Sequence, residues 1–136
     1  MIEMEAMILA GGLGTRLQSV VNDRQKAAAE VAGKPFFFHL LEKLQRSGLK
    51  KVILCLGYQA ESVRQSLTDF QQKLELDFSC EQSPLGTGGA VRLALNRSRA
   101  RQIMILNGDS FLDADLIAFQ HWKQHNNIRA AVLLAQ

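Results

Sequence analysis

The chain has 136 residues, with 16 lysines and arginines against 13 aspartates and glutamates, which gives a formal net charge of +3. Its composition, 47% hydrophobic and 21% charged, is that of a globular domain and excludes disorder and collagen-like repeats. Its apolar runs are far shorter than the about 20 residues of a membrane-spanning helix, and its lysines and arginines are scattered, so we expect one cytoplasmic domain that binds neither membrane nor nucleic acid.

Apolar runs alternate with helical periodicity along the chain. Continuous apolar runs at residues 7–10, 52–56, 103–106 and 130–134 predict parallel strands that are covered on both faces. Strict apolar and polar alternation at residues 74–80 instead predicts a half-exposed strand nearer the sheet edge.

Helices are predicted between these strands. The first begins at Pro35 and ends before Gly48, and the others cover residues 60–70, 87–96 and about 114–124. The residues predicted to be buried on the first and third helices are Phe37, Leu40, Leu41, Leu44, Ala90, Val91, Ala94 and Leu95. This alternation predicts a three-layer α/β/α sandwich with a Rossmann-like, mainly parallel sheet.

We expect structural roles, and no ligand binding, for the two cysteines, the tryptophan and a pair of histidines. Cys55 and Cys80 lie far apart in apolar stretches without metal-binding spacing, and we expect both to be buried. Trp122 is expected in the core. His121 and His125 share one helix face but lack the glutamate of a zinc-protease motif, so they are interpreted as a surface pair.

Three loops are predicted to meet where the parallel strands end, which is the edge at which open α/β sheets bind ligands. Residues 11–16 combine glycines with Arg16 and suit phosphate oxygens. Residues 83–89 lead into a helix N-terminus. The Asn107-Gly108-Asp109 turn places a carboxylate where a divalent cation can bind.

Two common phosphate-binding motifs do not fit these loops. The first loop lacks the Gly-Lys-Ser/Thr ending of a P-loop. The second strand ends in Gly57-Tyr58 and supplies no carboxylate for a ribose hydroxyl, which disfavours a nicotinamide dehydrogenase.

The loop motifs resemble those of the sugar-1-phosphate nucleotidyltransferases, which make nucleotide sugars from an NTP and a sugar 1-phosphate. The resemblance is carried by LAGGLGTRL at residues 9–17, Lys26, VAGKPF at residues 31–36, PLGTGGA at residues 84–90 and LNGD at residues 106–109. Within the family, the chain is most similar to guanylyltransferases that act on D-glycero-D-manno-heptose 1-phosphate or mannose 1-phosphate.

The resemblance implies a site, a cofactor and two substrates. It implies catalytic roles for Arg16, Lys26 and Asp109, with Asp109 as the ligand of Mg²⁺. It implies nucleotide binding by Leu9, Ala10, Gly11, Gly12, Gly14, Thr15, Arg16, Lys26, Glu81, Gly86, Thr87, Gly88 and Gly108. The implied substrates are an NTP, with GTP expected, and a heptose or mannose 1-phosphate.

Two departures from the family pattern leave a second hypothesis open. Residues 25–30 read Gln-Lys-Ala-Ala-Ala-Glu where the family usually has Pro-Lys-Pro-Met, and no residue matches the C-terminal half, which carries a second metal-binding aspartate. We therefore expect residues 1–136 to be the N-terminal part of a longer nucleotidyltransferase. The alternative is a truncated or non-catalytic nucleotide-binding module or regulatory subunit, and an unfinished sheet edge after residues 130–134 leaves a homo-oligomer open.

Overall fold

The computed structural model describes residues 4–11, 30–57, 60–68 and 74–134. The elements in these ranges are β1 (Met4–Ala10), β2 (Glu30–Val31), β3 (Lys34–Pro35), α1 (Phe36–Arg46), β4 (Lys51–Leu56), α2 (Ala60–Ser66), β5 (Glu75–Cys80), α3 (Gly86–Leu95), β6 (Gln102–Asn107) and α4 (Leu116–His125). None of the helices within these ranges has the length and apolar character that crossing a membrane requires.

Four strands form a parallel sheet in the order β5-β4-β1-β6. Met7 of β1 lies level with Ile53 of β4 on one side and with Ile105 of β6 on the other. The predicted parallel sheet is confirmed, and so is the position of the alternating strand β5 at an edge.

Helices cover both faces of this sheet. On one face, Ile8 and Leu54 pack in a core cluster with the apolar stripe of α1 and with Val63 of α2. All four residues predicted to be buried on α1 are buried, because their spacing puts them on one side of the helix. On the other face, Met7 packs in a cluster with Ala94 of α3. The predicted three-layer architecture is confirmed.

A short antiparallel hairpin precedes α1 and was not predicted. Its turn places Ala32 and Gly33 at φ of 51° and 79°, the left-handed conformations that tight hairpin turns use. A hydrogen bond of 2.8 Å joins His39 Nε2 to the Val31 carbonyl, and Lys34 Nζ donates to Glu42 Oε1 at 2.6 Å, so α1 holds both strands of the hairpin. Pro35 is extended and α1 begins one residue after it, not at Pro35 as predicted.

Several predictions of strand structure or burial are wrong. Residues 130–134 were predicted to form a strand, but they form no strand in the structure. Val132 and Leu134 are 78% and 81% exposed. A strand is stable only when a neighbour satisfies its backbone groups, and no described strand lies beside this run. Ile105 in β6 is 50% exposed although both faces of that strand were predicted to be covered. Leu95 and Trp122 are also exposed, not buried.

The two cysteines, both free, differ in exposure. Cys55 in the interior strand β4 is buried, as predicted. Cys80 is exposed, contrary to the prediction, because it is the last residue of an edge strand. Its Sγ accepts a hydrogen bond of 3.3 Å from Arg64 Nη2, and the same guanidinium lies over the Phe78 ring.

Candidate functional site

The carboxyl ends of β1, β4 and β5 converge around a single carboxylate, that of Glu81. Gly11 follows β1, Gly57 follows β4 and Glu81 follows β5. A methyl group on Gly57 would lie 2.8 Å from the Gly11 carbonyl oxygen and 3.0 Å from Glu81 Oε1. A methyl group on Gly11 would also lie 3.0 Å from Glu81 Oε1. These three residues therefore form a junction that is close-packed without any side chain on the two glycines.

Glu81 connects this junction to the loop that starts α3. Its backbone N–H donates to the Leu56 carbonyl at 2.9 Å, which continues the pairing of β5 with β4. Its carboxylate Oε2 accepts a hydrogen bond of 3.3 Å from the Leu85 N–H, one residue before α3 begins. The side chain thus ties the end of the sheet to the start of a helix.

The N-terminus of α3 faces solvent at the same edge. Gly86, Thr87 and Gly88 are exposed and begin the helix, and Leu85 before them provides no capping side chain. The first N–H groups of a helix have no partner within it and carry partial positive charge, so they favour negatively charged or hydrogen-bond-accepting groups.

The end of β6 lies against the end of β1. The Gly108 N–H donates to the Leu9 carbonyl at 2.8 Å, and a methyl group on Gly108 would lie 2.7 Å from that oxygen. This close approach brings the exposed Asp109 next to the end of the central strand, and Ser110 Oγ donates to Asp109 Oδ1 at 3.1 Å. Since neighbouring strands are about 4.8 Å apart, the Glu81 and Asp109 ends are about 14 Å apart across the sheet.

The predicted site residues fall into two groups. Leu9, Ala10, Gly11, Glu81, Gly86, Thr87, Gly88, Gly108 and Asp109 all lie at this one edge, at strand ends or at the start of α3. Gly12, Gly14, Thr15, Arg16 and Lys26 lie outside the described residues.

A preformed metal cage is not found in the part of the chain that the structure describes, where no three His, Cys, Asp or Glu side chains come together. Mg²⁺ is commonly held by one or two carboxylates together with substrate phosphates, and the exposed Asp109 offers one such carboxylate at this edge.

The negative charge at this edge affects the pKa of the Cys55 thiol. Burial, and secondly the negative charge of Glu81, raise the pKa of the Cys55 thiol to about 11. The thiol is therefore neutral at physiological pH.

Gly57 is the residue of this site that the sequence interpretation missed. The sequence indicates only that Gly57 supplies no carboxylate, whereas the structure shows that its missing side chain lets Gly11 and Glu81 approach each other. A glycine directly after a buried strand, at the ligand-binding edge, was the signal available.

The chain is similar in sequence to known proteins over most of its length. A family model described as nucleotidyl transferase matches residues 5–136. The D-glycero-alpha-D-manno-heptose 1-phosphate guanylyltransferase of Campylobacter jejuni is 41% identical over 83% of the chain, and that of Aneurinibacillus thermoaerophilus is 36% identical over 97% of it. The matches take up 51% and 56% of those two proteins, so the chain spans about half of their length.

A solved structure agrees with the sequence relatives. HddC from Yersinia pseudotuberculosis, determined in complex with GMP-PN, superposes with a TM-score of 0.80 and 38% sequence identity. The superposition covers 88% of this chain and 53% of HddC. The described fold is therefore a nucleotidyltransferase fold. HddC, a similar protein with this fold, has been determined with GMP-PN bound.

Proposed function

The chain belongs to the nucleotidyl transferase family, and on that premise we propose that it forms the nucleotide-binding part of a guanylyltransferase acting on a heptose or mannose 1-phosphate. The observation that carries the proposal is the gathering of Gly11, Glu81, the α3 N-terminus and Asp109 at one sheet edge. The names of the two relatives and the GMP-PN bound to HddC support GTP as the nucleotide.

The proposed reaction is an in-line substitution at phosphorus. An oxygen of the sugar 1-phosphate forms a bond to the α-phosphorus of GTP, the bond from that phosphorus to the bridging oxygen breaks, and pyrophosphate leaves with the electron pair. Such a transfer depends on positioning and charge stabilisation more than on covalent chemistry by the protein.

The described residues would bind and orient the nucleotide from two places on this edge, the end of β5 with the start of α3, and the ends of β1 and β6. Glu81 and the small residues Gly86, Thr87 and Gly88 would contact the base, because a carboxylate oxygen and exposed backbone groups can read the edge of guanine. Leu9, Ala10, Gly11 and Gly108 would line the nucleotide with backbone atoms. We extend these roles to Gly12, Gly14 and Thr15, which follow Gly11 in the sequence.

Charge stabilisation would come from Arg16, Lys26 and Asp109. We propose that Arg16 binds the leaving pyrophosphate end and that Lys26 steadies the phosphate at the reaction centre. Asp109 would hold Mg²⁺, which supplies positive charge beside the phosphates when it is bound.

Calorimetry with nucleotide and metal tests this proposal. We expect GTP with Mg²⁺ to bind more tightly than ATP, UTP or CTP, and Asp109→Asn to weaken GTP binding by about tenfold, the value of one lost contact to a charged group. Asp113→Asn, at an exposed carboxylate four residues away, is the matched control and should leave affinity unchanged. Absence of GTP binding, or equal effects of the two variants, would overturn the proposal.

A pyrophosphate-release assay separates catalysis from binding alone. Release on adding a heptose or mannose 1-phosphate to the GTP complex supports the transferase. GTP binding without release would instead support the alternative, a non-catalytic nucleotide-binding module or regulatory subunit.

A further inference from the structure

Lys43 in the last turn of α1 has a side chain that is largely shielded from solvent. The side chain is 17% exposed, although lysine is ordinarily among the most exposed residue types. Its ammonium group lies over the ring of Phe111, with Nζ 5.3 Å from the ring centroid, and 4.0 Å from Asp113 Oδ1. Lys43 therefore contacts the stretch of chain between β6 and α4 at two points.

This stretch, residues 110–115, leads from Asp109 to α4 and forms neither helix nor strand. It is fixed at both ends. Gly108 before it is hydrogen-bonded to Leu9, and Leu116 after it is buried in the core cluster that contains the apolar stripe of α1. A segment without helix or strand hydrogen bonds depends on side-chain contacts for a fixed conformation, and the two contacts of Lys43 lie between the fixed ends.

Of these two contacts, the one with Phe111 is the stronger. Asp113 is fully exposed, and an ion pair of 4.0 Å with such a carboxylate contributes little, because water screens it. A cation over an aromatic ring is favourable even at exposed sites and more so where water is excluded, as it largely is around the Lys43 side chain. The Phe111 ring is therefore the group through which Lys43 holds this segment to α1.

Phe111 is separated from Asp109 by a single residue, Ser110. The Ser110 hydroxyl donates to Asp109 Oδ1 at 3.1 Å, so the direction of the carboxylate is coupled to the backbone of its two successors. A change in the position of the Phe111 ring would move that backbone. The contact with Lys43 therefore restrains the Asp109 side chain from a distance.

We propose that Lys43 is a positioning residue, which fixes the direction of the Asp109 carboxylate by holding the Phe111 ring. The inference rests on the proposed function in so far as Asp109 is the ligand of Mg²⁺. Mg²⁺ requires nearly ideal octahedral geometry, so a carboxylate that is already oriented loses less conformational entropy when the ion binds. In this role Lys43 acts through Phe111 and touches neither the nucleotide nor the metal.

Lys43→Met tests the proposal, because methionine keeps a long apolar side chain and removes the charge. In the ligand-free chain, NMR relaxation should show lower backbone order parameters at Ser110 and Phe111 in this variant, with those of α1 unchanged. Calorimetry with Mg²⁺ in excess, and again with a chelator, measures the factor by which Mg²⁺ tightens GTP binding. Lys43→Met should reduce that factor about two- to fivefold, the value of one cation–π contact, and leave the metal-free affinity unchanged.

Three further variants separate this contact from a general loss of stability. Phe111→Leu should give the same reduction, and the double variant should lose no more than either single one, because both substitutions remove one interaction. Lys43→Arg should restore the wild-type factor, since a guanidinium also binds an aromatic face, as Arg64 does over Phe78. Lys123→Met, at a partly buried lysine in the last turn of α4, is the matched control and should change nothing.

Two results would overturn the inference. One is unchanged order parameters at Ser110 and Phe111 in Lys43→Met, whether or not GTP binds. The other is a Mg²⁺ effect that Asp109→Asn removes and Lys43→Met leaves intact, in which case the proposed function stands without this inference. If Mg²⁺ does not tighten GTP binding to the unmutated chain, the proposed function fails, and the NMR comparison still decides whether Lys43 fixes Asp109.

Discussion

Gly57 shows how one missing side chain organises the ligand edge. Its hydrogen atom occupies the space in which a methyl group would meet the Gly11 carbonyl at 2.8 Å and Glu81 Oε1 at 3.0 Å. The sequence could place the glycines and Glu81 at strand ends, because strand ends follow from apolar runs. It could not place them against one another, since that contact depends on the order of strands in the sheet.

Replacing Gly57 by alanine is expected to destabilise the fold. Overpacking a close-packed site costs about 1–3 kcal/mol, and the 2.8 Å contact would be with a backbone carbonyl oxygen, which can move aside less easily than the end of the Glu81 side chain. Gly88→Ala is the control, because a methyl group there meets nothing within 4 Å and alanine favours a helix over glycine by about 0.5–1 kcal/mol. Urea denaturation measures both, and a Gly57→Ala protein as stable as the wild type would contradict the described junction.

The two thiols are expected to differ sharply in reactivity. With a pKa of about 11, roughly one Cys55 thiol in ten thousand is ionised near neutral pH, and burial also blocks access, whereas Cys80 is exposed. A chromogenic disulfide reagent should modify one thiol per native chain and two in urea. Glu81→Gln should lower the pKa of Cys55 but leave it above 9.0, because burial is the larger cause. Rapid native labelling of Cys55 would contradict this assignment.

Among the elements, α4 depends most on its own cap. The Asp115 side chain accepts hydrogen bonds from the N–H groups of Ile117 and Ala118 at 3.0 and 2.9 Å, and the helix buries only its first residue. Aspartate is among the residues that most favour this capping position, because its carboxylate can accept from the first free N–H groups of a helix. The helix predicted over about residues 114–124 agrees with the observed Leu116–His125 to within two residues at its start and one at its end.

Asp115→Ala is expected to cost about 1 kcal/mol, the usual value of a helix N-cap. Little tertiary packing compensates the loss, so the amides of α4 should exchange faster than those of α1. Asp113→Ala provides the comparison, since Asp113 is fully exposed and its nearest cation, Lys43, is 4.0 Å away. Similar exchange rates for α4 in the two variants would show that Asp115 does not cap the helix.

At the scale of the whole molecule, the sequence patterns predict the strands β1, β4 and β5. The interior strands β1 and β4 contain continuous apolar runs, and the edge strand β5 alternates apolar and polar residues. The prediction failed where an apolar run lacks a neighbour, as at residues 130–134 and at Ile105. Hydrophobicity indicates that a segment favours burial, but it does not indicate whether a neighbouring segment covers it. The short hairpin at Glu30–Pro35 escaped prediction because its turn is specified by backbone conformation, with a non-glycine residue at positive φ.

The arrangement of strand partners also bears on how the protein folds during synthesis. β1 lies between β4 and β6, whose residues come much later in the chain, at 51–56 and 102–107. Strand β1 is therefore synthesised before both of its partners and must stay unpaired on one side until β6 has been made. Pairings between such distant segments form slowly, so the apolar strand Met4–Ala10 is exposed to aggregation until its partners have been made.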